Sequence, residues 1–478
     1  MKNTFMFYDL ETSGISPKNQ RIMQFAGQRT DMNLQPVGDP HNYLLALPED
    51  ILPDPWAILV TGITPQKTQQ EGITEAEFLQ IFHSDIATPG TIFAGFNTIR
   101  FDDEFMRYLN YRNFYDAYEW HWQDGRGRWD LLDVSRMTRA LRPEGITWPF
   151  APDGKPSNKL EYLTNVNNLS HENAHDALSD VQATISLARL IQSKQPKLFE
   201  YLLHIRDKRS VEKLVVSNQP FVYSSGKYSS EREKTAVALY IGDNPKSGAF
   251  VYDLYHDPTT WLTKTPAELA DAWQWKKDQN APRLPVKSLQ YNRCPAVAPY
   301  GVLDTASKQR LQITDEQIIK HQKILQRNQD NFYTKILSAA EILNKKQQTR
   351  LLTESQPTEE RLYDGFFNDS DKKIINKIHK LSTSELATFK PRFQDERLAP
   401  LFMLYRARNF PKTLTTEEEN KWQEFKSKKL FDGGETSRLA TFIRNLQTIA
   451  TRDTKQDNQF ILEELKLYAE SLSPHQES

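Results

Sequence analysis

The stretch Phe7-Tyr8-Asp9-Leu10-Glu11-Thr12-Ser13-Gly14 sets two carboxylates one residue apart, at the end of a short apolar run. In a strand, side chains alternate between faces, so Asp9 and Glu11 point the same way. Carboxylates held side by side raise one another's pKa unless a cation neutralises them. A second acid, Asp102, follows the apolar run "TIFAGFN" within "GFNTIRFDDEF". Its neighbours Asp103 and Glu104 fit an ordinary acid-rich helix start, which the helix dipole favours. A third group is "HDALSD", in which His175 precedes Asp180 by five residues. On one helix those two would lie about 140° apart, so His175 is placed in the loop or first turn, over the helix end. Taken singly, these are an exposed turn, a helix start and a helix-start histidine. Taken together they offer four acids and one imidazole, with no cysteine among them. An all-oxygen donor set suits Mg²⁺ or Mn²⁺. Two such ions about 3.5–4 Å apart can clamp the attacking and leaving oxygens of a phosphodiester. A histidine with a pKa near 6.5 can take the proton of the attacking water.

Such a site needs a frame, and residues 1 to about 194 read as α/β. "TFMFYD", "RIMQFAGQRTD", "PHNYLLALP" and "TIFAGFN" have the composition of strands. "TEAEFLQIFHSDI", "DDEFMRYLNYRNF", "KLEYLTNVNN" and "DALSDVQATISLARLIQSK" have helical spacing, and "WDLLDVSRMTRALR" adds a helix that Asp130 is expected to cap. This order predicts a mixed sheet covered by helices. Between about 217 and 300 the text becomes short apolar pieces broken by Gly, Pro and Asn, which predicts a small antiparallel barrel or sandwich. From about 306 onward the pattern is helical, with a break near 356–364. The expected division is therefore 1–194, 195–350 and 351–472.

The chain has 478 residues, more than one core usually serves. Its 61 Lys and Arg balance 62 Asp and Glu, so nucleic-acid binding must come from local basic patches. The single cysteine, Cys294, excludes an intramolecular disulfide framework and a cysteine-based zinc site. A reducing, cytoplasmic location is expected. No secretory leader pattern opens the chain, and no apolar run reaches the roughly 18 residues of a membrane span.

"FYDLETSG", "GFNTIRFDDEF" and "HDALSD" resemble the DEDDh exonuclease superfamily, whose fold is ribonuclease H-like. "RFDDEFMRYLNYRNFYDAY", "RWDLLDVSRMTRALRPEGITWP" and "LYDGFFNDSD" are similar to the exonuclease I family within it, and the likeness spans nearly the whole chain. The resemblance implies a ribonuclease H-like exonuclease domain, a Src-homology-3-like β-barrel domain and an all-helical C-terminal domain. It implies Asp9, Glu11, Asp102 and Asp180 as ligands of two Mg²⁺ ions, which Mn²⁺ can replace, and His175 as general base. It implies stepwise release of 5′-mononucleotides from the free 3′ end of single-stranded DNA, in DNA repair and recombination. It further implies a monomer, and binding of the acidic C-terminal tail of single-strand-binding protein.

Single strands are gripped by aromatic stacking and by backbone cations. Residues 107–130 interleave Arg107, Arg112, Arg126 and Arg128 with Tyr111, Phe114, Tyr115, Tyr118, Trp120, Trp122 and Trp129. About half of these rings are expected in the core. Tyr118 and Trp122, in a polar, glycine-broken loop, are the expected surface rings. By resemblance Glu11, Arg107, Tyr118, Trp122, Arg136 and Lys208 touch the substrate, and Lys159 stands where the family is expected to place an arginine. A lysine there keeps the charge and loses the two-pronged fork. Two other readings remain open on the sequence: an RNA-trimming or proofreading exonuclease with the same five residues, and a non-catalytic single-strand-binding scaffold.

Overall fold

The computed structural model describes residues 3–171, 176–274, 282–351, 356–451 and 456–472. Its first sheet has the order β3-β2-β1-β4-β5. The strands are β1 (Thr4–Thr12), β2 (Ile22–Thr30), β3 (His41–Leu44), β4 (Thr91–Gly95) and β5 (Gly127–Asp130). β2 runs antiparallel to β1 and β3, while β4 runs parallel to β1 and β5. The alternation of β1 sorts its side chains between two cores. Phe5 and Phe7 join Ile92, Ala94 and Trp129 on one face. Met6, Tyr8 and Leu10 join Phe25, Phe78, Phe82 and Phe93 on the other. Each such side chain contributes about 1.5–3 kcal/mol by leaving water.

Helices α1 (Pro55–Thr61), α2 (Pro65–Glu71) and α3 (Glu75–Ile81) follow β3. The first two have little periodicity. They form because Asp54 and Thr64 cap their first turns and a proline stands at each helical start. α4 (Asp102–Arg112), α5 (Leu131–Leu141), α6 (Leu160–Val166) and α7 (Ala177–Lys194) complete the layer, with Asp130 capping α5 through Leu132 N at 2.9 Å. β5 is a departure from the sequence reading, which runs the loop "YEWHWQDGRGRW" through 118–129. "GRWD" is too short and polar to show strand periodicity, and its pairing with β4 supplies what the local pattern lacks.

Beyond α8 (Pro196–His204) and α9 (Lys208–Val215), five strands between 221 and 299 form a wholly antiparallel second sheet. The remainder is helical, from Thr305 to Ser471. Among the described residues no helix is long and apolar enough to cross a membrane.

Candidate metal centre and nucleic-acid groove

β1 carries the apolar face of Phe5 and Phe7 forward into Asp9 and then Glu11, so both acids look toward α7, which lies against β1 and β2. After Glu11 the pairing with β2 shifts register, ending the regular strand. Asp176 caps α7 by accepting from Ser179 N at 3.0 Å, which leaves Asp180 in the first turn. One carboxylate oxygen each from Asp9, Glu11 and Asp180 lies within 4.8 Å of the others. Asp102 is outside that set. It accepts a hydrogen bond from Leu10 N at 3.2 Å, beside Asp9. His175 lies outside the described residues.

The Asp102 loop is fixed by packing that the sequence shows only in part. A side chain at Gly95 would meet Thr98 Cγ2 at 2.1 Å and the Tyr8 carbonyl at 2.7 Å, so only glycine fits there. Asn97 is left-handed, and its N–H donates to Asp130 Oδ1 at 3.0 Å, while Ile99 N donates to Asp130 Oδ2 at 3.3 Å. Asp130 therefore pins this loop as well as capping α5. Asp103 is fully occupied, accepting from the Tyr8 hydroxyl at 2.7 Å and pairing with Arg128. Its role is structural, as the helix-start reading expects.

Burial and then the neighbouring Asp180 and Asp176 push the Asp9 carboxyl far above the usual range. Burial, then Asp9, push Glu11 up to about 9. Burial, followed by Asp9, raises Asp102 as well. These are acids held together against their repulsion, and a divalent cation relieves all three at once. The all-oxygen donors fit a hard cation.

Of the aromatic–arginine stretch, Tyr111, Phe114, Trp120 and Trp129 are core residues. Trp122 is 58% exposed and Tyr118 is half-buried. Two of the arginines are corrected by the structure. Arg112 is buried, donating to the Pro17 carbonyl at 3.1 Å, and Arg128 is buried against Asp103. Arg107 is buried too, bonded to Glu104 at 2.6 Å, with its guanidinium 5.5 Å from the Tyr118 ring centre. Arg136 is half-buried and pairs with Asp133 at 2.6 Å. Lys159 is exposed at the start of α6, with Tyr162 beneath it at 5.3 Å. Lys208 is the exposed first residue of α9.

Three sets of side chains escape the local sequence patterns. Glu104 also takes Arg293 at 3.0 Å and the Tyr363 hydroxyl, joining α4 to the second sheet and to the helical region. Phe366, 82% exposed, sits 5.9 Å from the Tyr118 ring, and Tyr363 is 55% exposed nearby. Tyr118 and these two rings line a cavity of about 590 Å³. The third is His171, which bonds to Asp180. "LYDGFFND" was visible as an aromatic break, but its placement opposite Tyr118 was not.

The mixed sheet and its clustered carboxylates define a nuclease domain of the exonuclease class. Residues 6–188 match the model of that exonuclease domain, residues 206–341 the exonuclease I SH3-like domain, and residues 356–472 the exonuclease I C-terminal domain. The chain is 38% identical to exodeoxyribonuclease I of Haemophilus influenzae, over 89% of this chain and 90% of that one. It also matches the zinc-ion-bound form of an E. coli exonuclease I–single-stranded DNA complex, with a TM-score of 0.90 and 34% identity, over 99% of this chain and 100% of that one. A structure of SSB with exonuclease I and the inhibitor CFAM matches with a TM-score of 0.88 and 34% identity, over the same shares. The chain belongs to the exonuclease I family, and it is a hydrolytic nuclease.

Proposed function

We propose that this chain is a 3′→5′ exodeoxyribonuclease that degrades single-stranded DNA to 5′-mononucleotides in DNA repair and recombination, working in the cytoplasm as a monomer. The observation that carries the reading is the convergence of Asp9, Glu11 and Asp180 within 4.8 Å. Asp9, Glu11, Asp102 and Asp180 are the groups that would hold two Mg²⁺ ions, or Mn²⁺ in their place. When bound, such ions supply positive charge against the phosphodiester oxygens as water attacks. His175 accepts the proton of that water. Glu11 and Lys159 border the substrate, and Lys159 supplies a point charge to phosphate.

Trp122, Tyr118, Tyr363 and Phe366 offer rings on which successive bases stack, and Arg107, against the Tyr118 ring, and Arg136 meet the strand beside them. Lys208 adds a backbone cation. The working division is 1–194 for chemistry, 195–350 for the β-rich domain and 351–472 for the helical domain. A protein partner is the acidic tail of single-strand-binding protein.

The test is a gel assay on 5′-labelled single-stranded DNA, matched RNA and blunt duplex, each with Mg²⁺ or chelator. A Mg²⁺-dependent ladder from the DNA alone, abolished by blocking the 3′ end, is expected. Preference for RNA would move the protein to the RNA-trimming exonucleases. No cleavage of any substrate would leave a binding protein.

A further inference from the structure

Among the described residues one side chain outside the acid set hydrogen-bonds to the Asp9–Glu11–Asp180 cluster. His171 Nε2 lies 2.5 Å from Asp180 Oδ1. Its other ring nitrogen, Nδ1, lies 3.0 Å from Thr164 Oγ1. The His171 side chain is only 6% exposed, and Thr164 is buried in α6. The imidazole thus bridges α6 to the first turn of α7.

The carboxylate sets the direction of its own bond. An ionised carboxylate only accepts, so His171 Nε2–H donates to Asp180. The other ring nitrogen, Nδ1, is held by the Thr164 hydroxyl, which also lies 3.0 Å from the Leu160 and Glu161 carbonyls and takes from Nδ1–H or gives to a bare Nδ1. Both nitrogens are occupied, so neither is left to take a proton from water. The ring can act on Asp180 alone. A carboxylate on a helix side chain has free rotation about its last bond, and a donor fixed from a second helix removes it. Groups that orient a metal ligand in this way change metal affinity or activity by about 10- to 100-fold when removed.

We propose that His171, backed by Thr164, is a positioning residue of the metal centre, holding the Asp180 carboxylate toward Asp9 and Glu11. This rests on the reading of Asp180 as a metal ligand. The assignment separates the two histidines of "SHENAH": His175 serves the reacting water, and His171 serves a ligand.

The test uses full-length protein without DNA and measures Mn²⁺ binding by the loss of the free-ion electron paramagnetic signal. His171→Leu is expected to weaken Mn²⁺ binding by about 10- to 100-fold. His171→Gln, whose amide nitrogen can stand where Nε2 does, should keep most of the affinity. In turnover assays the Mg²⁺ concentration for half-maximal rate should rise with His171→Leu by a similar factor, and saturating Mg²⁺ should restore kcat.

Wild-type Mn²⁺ affinity in folded His171→Leu overturns the proposal, and so does a kcat loss that saturating Mg²⁺ leaves in place. If His171→Leu does not fold, Thr164→Val, which unties the ring, carries the test, and unchanged affinity there overturns it. Asp180→Asn is the control. Unchanged Mn²⁺ binding in Asp180→Asn sinks the metal-centre reading itself, whereas its loss beside a neutral His171→Leu sinks only the role of His171.

Discussion

Asp9, Glu11 and Asp180 crowd together with other acids as their charged neighbours, whereas Asp50 and Glu359 lie at least as deep with cations on every side. Arg408 grips Asp50 with two bonds, at 3.0 and 2.6 Å, and reaches Glu359 at 2.7 Å. Lys429 bonds both acids, at 2.6 and 2.7 Å, and Arg21 adds a bond to Glu359 at 2.7 Å. Burial acts first on Asp9, Glu11, Asp50 and Glu359, and taken alone it raises the pKa of each carboxyl. At Glu359 the cations Arg408, Lys429 and Arg21 outweigh burial and hold the carboxyl well below the usual range. At Asp9 and Glu11 the neighbouring acids among the described residues add to burial, and both are driven up. One cluster carries its own counter-ions and clasps the exonuclease domain to the helical region. The other shows no lysine or arginine counter-ion among the described residues, as the proposed cation site requires. Buried acid by itself does not mark a function; the sign of the neighbouring charge does.

The largest expected effect falls on the uncompensated cluster. Asp180→Asn should lower kcat by at least about a thousand-fold, roughly 4 kcal/mol of barrier. It should leave the melting temperature in chelator unchanged or higher, because it removes repulsion. A variant that melts early instead would place Asp180 in the same structural class as Asp50. Glu359→Ala should do the reverse. Leaving Arg21 without its close partner, and Arg408 and Lys429 with Asp50 alone, costs about 3–5 kcal/mol of stability, read from denaturant midpoints. Turnover per folded molecule should stay near wild type.

Trp122→Ala touches neither cluster. It should weaken single-strand binding by about 1–3 kcal/mol, measured by fluorescence anisotropy in chelator, and leave the Mg²⁺ dependence of turnover alone. Unchanged affinity would remove this ring from the groove.

The finest distinction is in pH. Glu11 titrates near 4.5 when unfolded and about 9 when folded, so between these values the folded state holds the extra proton. Stability of the metal-free protein should therefore fall as pH rises through that window, by up to about 1.4 kcal/mol per pH unit for each such proton. Mg²⁺ should flatten the fall. Asp50 and Glu359 are depressed, so their contribution is present above the ordinary carboxylate range and lost as pH falls below it. Melting curves from about pH 4 to 9, with chelator and with Mg²⁺, separate the two. A metal-independent alkaline loss would contradict the assignment of Glu11.

Much of the site was legible in the chain. Asp9 and Glu11 share a face because strand alternation needs no tertiary information. Asp130 reads as a cap, although its hold on the Asn97 loop does not. The arginines between 107 and 130 mislead, since their charge suggests a DNA grip while Arg112 and Arg128 are spent on buried partners. His171 stood four residues from His175 with nothing in the text to separate them.

Local periodicity and composition determined the first four strands, the longer helices, the paired acids on β1 and the three-part organisation, because those features depend on near neighbours in the chain. Tertiary structure alone decided which charges meet. Arg21 and Glu359 are 338 residues apart, and Asp9 and Asp180 meet only because α7 packs on β1. Whether a buried acid is paired or left open for a metal follows from that packing, since the Coulomb energy depends on separation in space and not along the chain.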